Sequence, residues 1–300
     1  AYAARILSDN PSVYLRWNES NDVLASTATA TGANQVLNGV GTWREPGAIA
    51  GDPSTAFTLT GSTSYLYGQT RVQGPLTAYS LETWFKTTST VGGKIIGFGD
   101  KTALNSSSYD KHIYMTNDGR LVFGVYNGQT RTVTSPSPYN DGQWHLVTAT
   151  QSSTAGMVLY VDGVQVGTNS TKNNQSYAGY WRIGGDNLTS WPNQPTSMYW
   201  QGTLDETAVY TAALSATTVS DHYTLGKGAP DTTAPTQPGA PATSVNGTTV
   251  NLTWTPSTDN VAVTAYDVYR SATSGFTPSG TPLATVTNPA YADTTAPTGA

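Results

Sequence analysis

Gly202-Thr203-Leu204-Asp205-Glu206-Thr207-Ala208-Val209-Tyr210 is the stretch whose reading decides the fold. Leu204 and Thr207 to Tyr210 have the hydroxyl, aliphatic and aromatic side chains that suit a pleated, half-buried strand. Two adjacent carboxylates interrupt them where such a strand carries apolar or hydroxyl residues. Neighbouring strand residues point to opposite faces. Asp205 and Glu206 are therefore expected to diverge, one outward and one inward, and not to share one ligand above the sheet.

Working outward, short alternating segments recur. Val13-Tyr14-Leu15-Arg16-Trp17 is one, and between residues 20 and 51 only Val36-Leu37-Asn38-Gly39-Val40 reads as another. Ala56-Phe57-Thr58-Leu59 and Ser64-Tyr65-Leu66-Tyr67 flank Gly61-Ser62-Thr63, the pattern of a hairpin. In Ser80-Leu81-Glu82-Thr83-Trp84-Phe85-Lys86, residues Leu81, Thr83 and Phe85 share a core face. Glu82, Trp84 and Lys86 share the other, read as open because a core does not take Glu and Lys together. His112-Ile113-Tyr114-Met115 and Leu121-Val122-Phe123-Gly124-Val125-Tyr126 surround Asn117-Asp118-Gly119, where Asp-Gly supplies the positive φ of a tight hairpin. This places Ile113, Met115, Leu121, Phe123 and Val125 inside and His112, Tyr114, Val122 and Tyr126 outside. Val161-Asp162-Gly163-Val164 is a second such turn. In Tyr180-Trp181-Arg182-Ile183-Gly184, inward Trp181 and Ile183 leave Arg182 outward, before a Gly/Asn/Pro/Trp loop from Gly185 to Thr196. The one expected helix runs from Ser215, as N-cap, through Val219 and Tyr223, with Gly226 as its stop. One short helix among about a dozen strands indicates an all-β sandwich.

The stretch Gly-x-Leu-Asp-Glu-x-x-Val-Tyr with the following Ala212-Ala213-Leu214-Ser215 resembles the closing strand of laminin G-like, concanavalin A-like jelly-roll domains. Pro11 to Trp17, Ser80 to Lys86, Asp141-Gly142-Gln143-Trp144-His145-Leu146-Val147 and Met157-Val158-Leu159-Tyr160-Val161-Asp162-Gly163 fall in that family's order. Over residues 1–227 the resemblance implies two packed antiparallel sheets, often a calcium ion, and often glycan or protein binding.

Composition narrows the class. Three hundred residues at about 100–200 per domain suggest two domains. Aromatic residues reach 10%, with 18 Tyr and 8 Trp, while charged residues are only 11%, so the surface is dominated by Ser, Thr, Asn, Gly and Tyr. That balance suits an extracellular β-protein, secreted or on a cell surface, and the lack of cysteine is compatible with secretion of bacterial type. A net charge of -5 gives no electrostatic case for nucleic acid or anionic membranes. No cysteine is present, so disulfide frameworks and thiol chemistry are excluded. No run of about 18 apolar residues predicts membrane insertion. Ala1-Tyr2-Ala3-Ala4-Arg5 lacks a signal-peptide core, which reads as a mature or excised piece.

Residues 228–241 carry prolines 230, 235, 238 and 241 and read as a linker. Beyond it, Val250-Asn251-Leu252-Thr253-Trp254 and Ala265-Tyr266-Asp267-Val268-Tyr269-Arg270 resemble two strands of a fibronectin type III domain. Such an immunoglobulin-like β-sandwich needs about seven strands and roughly 100 residues, so residues 242–300 are expected to be an incomplete copy. Asp293-Thr294-Thr295-Ala296-Pro297-Thr298 echoes Asp231-Thr232-Thr233-Ala234-Pro235-Thr236 as loop composition.

Three chemistries are candidates. Calcium takes six to eight oxygens; the resemblance carries the anchoring carboxylate to Asp205, and Asp52 is a second candidate ligand in a structural site. Sugar binding needs rings beside polar groups on one face. Three stretches are candidates to supply it: Trp84 with Glu82; Asp110, His112 and Tyr114; and Arg182, Asp186 and Trp191. Catalysis is disfavoured. Jelly-roll glycosidases set two carboxylates about 5–9.5 Å apart across one bond, whereas Asp205 and Glu206 are read as diverging. Gln143-Trp144-His145 has the spacing of a lyase strand but also occurs in non-catalytic laminin G-like domains. The reading is a non-catalytic, glycan-binding accessory module of a larger protein. The alternatives are an adhesive spacer with protein partners and, less favoured, a polysaccharide lyase or hydrolase.

Overall fold

The computed structural model describes residues 2–20, 24–25, 34–228, 234–258, 263 and 265–297. Residues 229–233 of the expected linker, with Asp231-Thr232-Thr233 of the echo, and Thr298 lie outside the described residues. The chain divides into two units, Ala1–Ala229 and Pro230–Ala300.

In the first unit, α1 (Tyr2–Ser8) precedes β1 (Val13–Leu15), β2 (Leu24–Ala25), β3 (Gln35–Asn38), β4 (Gly41–Pro46), β5 (Thr55–Thr60), β6 (Tyr65–Gly68), β7 (Tyr79–Lys86) and β8 (Gly93–Gly99). Next come β9 (Tyr109–Met115), β10 (Arg120–Tyr126), β11 (Thr130–Pro138), β12 (His145–Ser152), β13 (Gly156–Val161), β14 (Val164–Asn169), β15 (Tyr180–Ile183) and β16 (Gln201–Tyr210), and then α2 (Ala216–Lys227). Two antiparallel sheets result. Sheet A runs β14-β13-β12-β7-β16-β5-β4, with β1 also paired to β16, and sheet B runs β11-β10-β9-β8-β15-β6-β3-β2. This is the two-sheet jelly-roll sandwich that the alternation of apolar positions requires.

One core lies between the sheets. Leu81, Phe85, Leu204 and Val209 of sheet A meet Ile113, Met115, Phe123, Trp181 and Ile183 of sheet B in it. Burying a Phe, Leu or Ile side chain contributes roughly 1.5–3 kcal/mol, so the inner faces fix the register of both sheets. The closing strand β16 lies inside sheet A between β7 and β5, with Val209 opposite Val13 and Leu204 opposite Phe57 and Phe85.

Several turns form as their residues dictate. β9 and β10 pair as a hairpin whose Gly119 takes φ 84°, and β13 and β14 join through Asp162 (φ 53°) and Gly163 (φ 76°). The hairpin expected at Gly61-Ser62-Thr63 does not form. β5 pairs with β4 and β16 in sheet A, β6 with β3 and β15 in sheet B. The turn is a crossover between layers because each strand finds a longer-range partner for its apolar face. Arg16 and Trp17 lie outside β1, and β4 was not anticipated.

Helix α2 begins as expected, Ser215 Oγ accepting the Thr218 amide at 3.1 Å. Gly226 does not end it. That residue is buried inside the last turn, where a Cβ would stand 2.4 Å from the Trp84 ring, so glycine lets the helix close on the sheet. Helix α1 was missed: Tyr2 and Ile6, at i and i+4, are its buried residues and join Tyr14, Trp84, Leu146 and Tyr210 in a second cluster outside sheet A.

In the second unit, β17 (Ala242–Asn246), β18 (Thr249–Thr253) and β21 (Ala290–Asp293) form one antiparallel sheet, and β19 (Tyr266–Val268) pairs with β20 (Ala284–Val286). Trp254 meets Tyr266 edge-on at 5.4 Å.

Candidate functional site

Around Glu82 and Trp84 the outer face of sheet A is closed, and the reading of these two residues as an open face is corrected, while Lys86 at the end of the strand is half-buried. Both are fully buried. Trp84 Nε1 donates to the Tyr2 hydroxyl at 3.0 Å and its ring stacks on Tyr223 at 5.7 Å. Glu82 accepts from Thr148 Oγ1 and meets His222 Nδ1, both at 2.8 Å, while His222 Nε2 meets Asp9 at 2.8 Å. The polar residues of this face dock α1 and α2. A charged strand position thus marks a covering element whose own partners satisfy it.

The closing strand also departs from simple alternation. Asp205 pairs with Trp84 but Ala208 with Glu82, so β16 carries one extra residue, and Glu206 takes φ 49°. This bulge turns both carboxylates to the outer side, correcting the expected divergence. Asp205 Oδ2 and Oδ1 accept the amides of Ala48 and Glu206, each at 2.8 Å. Glu206 accepts from the Tyr14 hydroxyl, from Arg16 Nε at 3.0 Å and from Ser54 Oγ at 3.2 Å. Asp52 Oδ1 takes Arg16 Nη2 at 3.0 Å and the Ser54 amide at 2.9 Å. Burial, then the charge of Glu206, pushes the Asp205 carboxyl up.

These residues do not fit calcium. Both oxygens of Asp205 are engaged by backbone N–H groups, and the guanidinium of Arg16 lies between Asp52 and Glu206. Among the described residues, no group of three or more His, Cys, Asp or Glu side chains is gathered for a metal. Asp205 and Asp52, the expected ligands, are here spent on protein donors.

Sheet B brings together His112, Tyr114, Arg182, Asp186 and Trp191, and adds Lys94, which the sequence reading did not single out. Lys94, His112, Arg182 and Asp186 are all fully buried on its outer side, beneath the loops 100–108 and 185–199. Arg182 Nη1 donates to the carbonyls of Lys101 (2.8 Å) and Leu104 (3.2 Å), and its guanidinium lies 3.9 Å over the Tyr65 ring. Asp186 Oδ1 accepts the amides of Ser106 and Asn187 at 2.8 Å each. The carboxylate stands 3.9 Å from both Lys94 Nζ and Arg182 Nη1, too far to bond either. His112 meets Trp191 at 4.1 Å, edge to face. Lys94 Nζ, both His112 nitrogens, Arg182 Nε and Nη2, and Asp186 Oδ2 are buried with no hydrogen-bond partner among the described residues.

Burial dominates the electrostatics. It pushes Lys94 down to about 8, Asp186 opposing and Arg182 reinforcing the shift. It also holds His112 well below the usual imidazole range, with Lys94 and Lys111 adding to the effect, so the ring is neutral. Room for the cluster comes from glycines within strands. A Cβ at Gly97 would stand 2.5 Å from His112 Cβ, one at Gly99 2.3 Å from Asp186 Oδ2, and one at Gly124 2.6 Å from the Trp191 ring. Those strand glycines were the legible signal for the site.

Two assignments differ from expectation here. Asp110 is spent on Lys111 Nζ (2.7 Å), the Tyr177 hydroxyl (2.9 Å) and the Tyr126 amide (3.0 Å), an internal ion pair at a bulge where Lys111 takes φ 48°. Trp191 is a packing ring, clustered with Tyr114, Val122 and Leu188. Half-buried rings on this face include Tyr67, Tyr109, Tyr180 and Tyr199.

Gln143-Trp144-His145 is accounted for structurally. His145 Nδ1 meets Asp162 at 2.8 Å and Nε2 meets Asp141 at 3.1 Å, tying together the two turns whose Asp-Gly pairs the sequence displays.

The chain belongs to the concanavalin A-like lectin/glucanases superfamily, whose laminin G-type family model matches residues 59–220, more than half of the chain. Among solved structures, it is similar to domain 4 of AbnA, an extracellular arabinanase from Geobacillus stearothermophilus, in complex with arabinotriose. The TM-score is 0.52 at 18% identity, over 71% of this chain and 98% of that one. The binding domain of botulinum neurotoxin serotype G gives a TM-score of 0.51 at 12% identity, over 71% of this chain and 50% of the other. Both likenesses show the fold. Curated relatives match short segments. Exoglucanase B of Cellulomonas fimi is 55% identical over 49 residues, 16% of this chain and 4% of its own length. Chitinase A1 of Niallia circulans is 50% identical over 52 residues, 17% of this chain and 7% of its own. The chain thus covers less than a tenth of either relative. No helix is long and apolar enough to cross a membrane among the described residues.

Proposed function

We propose that the first unit is a non-catalytic carbohydrate-binding module of a secreted or cell-surface protein, and that the outer face of sheet B is its sugar site. The observation that carries this is the juxtaposition of half-buried Tyr67, Tyr180 and Tyr199 with a buried set of unspent donors and acceptors on Lys94, His112, Arg182 and Asp186. Rings present a flat apolar surface to a pyranose, and convergent polar groups read its hydroxyls. The arabinotriose in the complex of the AbnA domain and the glycosidase names of the curated relatives support the same reading. The second unit is read as a fibronectin type III-like spacer toward other domains of the parent protein.

Titration of the full chain with a panel of plant and microbial polysaccharides tests this. Tyr67→Ala and Tyr199→Ala are expected to weaken binding roughly tenfold or more, with melting temperature unchanged. Equal binding by both variants contradicts the site.

A second reading, a structural or adhesive module, is favoured by one observation. Helices close sheet A, and loops close the polar centre of sheet B. On that reading the folded protein binds no polysaccharide, and pull-down retrieves a protein partner that Tyr67→Ala leaves unaffected.

A further inference from the structure

We infer that the outer face of sheet B selects acidic sugars, taking the carboxylate of a uronic acid residue on the free edge of Arg182 beside Lys94. The inference deepens the carbohydrate-binding reading and rests on it. It starts from a charge count. Lys94 and Arg182 bring two cations under the loops 100–108 and 185–199, and Asp186 brings one anion. His112 is neutral, and Lys111 is paired with Asp110 at 2.7 Å. One positive charge is left over in a fully buried place, where an unpaired charge is costly.

Hydrogen-bond geometry makes the excess specific. Asp186 serves neither cation directly, because it stands 3.9 Å from each and spends Oδ1 on two backbone amides. Arg182 uses only Nη1, on two loop carbonyls, and rests on Tyr65. Its unpartnered nitrogens, Nε and Nη2, form the edge of the guanidinium that grips a carboxylate with two parallel bonds. Lys94 Nζ adds a third unspent donor, and His112 offers one donor and one acceptor for a neighbouring hydroxyl. A neutral sugar would satisfy the hydrogen bonds but leave the charge. A uronate satisfies both.

Access is through the loop 100–108. Its hold on the cluster is polar: the two Arg182 bonds, Ser106 N to Asp186, and Asn187 Nδ2 to the Ser106 carbonyl at 3.1 Å. Leu104 at its tip is 81% exposed, so that side chain does not anchor the loop.

The test uses the full chain and isothermal titration with short galacturonate and glucuronate oligosaccharides, their methyl esters, and neutral oligosaccharides of the same length. Esterification removes the charge and changes nothing in the protein, so the comparison does not depend on a variant folding. At least one acid form is expected to bind roughly ten- to a hundredfold more tightly than its ester. Lys94→Met is expected to shrink the ratio of acid to ester affinity, because it removes one of the two cations that face the carboxylate. Equal affinity for acid and ester overturns the inference and leaves carbohydrate binding standing. Binding of neutral sugars alone does the same. If folded protein binds none of the panel and no polysaccharide, the carbohydrate reading falls as well.

Discussion

At the residue scale, the site is built from buried charges whose placement costs stability. Lys94 is the clearest case. Its pKa in the folded state is pushed from 10.5 down to about 8, so between those values the unfolded chain holds more protons than the folded one. Stability attributable to Lys94 therefore rises with pH across that window. Lys94→Met is expected to raise the unfolding free energy near neutral pH by about 1–3 kcal/mol, measured by urea denaturation. A stability loss of that size would show that Asp186 already compensates the charge fully. Sequence alternation put His112, Tyr114 and Arg182 on the outer side of sheet B correctly, because period-2 patterning is a local property. Lys94, at the second position of β8, is not marked by any such local pattern. Its burial depends on loops distant in sequence.

At the element scale, two devices hold covering segments onto sheet A. The first is the bulge in β16, where Glu206 binds Tyr14, Arg16 and Ser54. No pattern of residue types distinguishes this bulge from plain alternation, and so the sequence reading made Asp205 and Glu206 diverge. Glu206→Ala is expected to destabilise the fold by about 2–4 kcal/mol, allowing for the partly exposed Arg16 that it leaves unpaired. Calcium addition and EDTA are expected to leave the melting temperature unchanged, since Arg16 and backbone amides engage the carboxylates. A calcium-dependent rise of several degrees would overturn that assignment.

The second device is His222, held between Glu82 and Asp9. Burial alone would push its pKa down, but the two carboxylates lift it above 6.5. A raised folded value means the stabilisation is complete below the unfolded pKa and is lost as pH rises through the folded one. His145, between Asp162 and Asp141, is raised in the same way. Denaturation midpoints are accordingly expected to fall as pH rises through and above 6.5. His222→Gln should flatten that slope, and an unchanged slope would remove the histidine from the account.

At the scale of the whole molecule, the sandwich was legible because alternating strands, two Asp-Gly turns and the closing stretch all point to it. What was not legible were the long-range choices. The Gly61 turn became a crossover because β5 and β6 found partners in different sheets. Trp84 with Glu82 became a helix dock because α1 and α2, at opposite ends of the first unit, return to the same face. Site residues predicted as one convergent set were therefore divided between two outer faces, and that of sheet B gathers unspent groups on Lys94, His112, Arg182 and Asp186. The most direct test of its function is amide chemical-shift mapping of the full chain as a binding oligosaccharide is titrated in. The account predicts that the shifted amides cluster in residues 94–112 and 180–199 and around Tyr67. Shifts confined to sheet A, its helices or the second unit would contradict it.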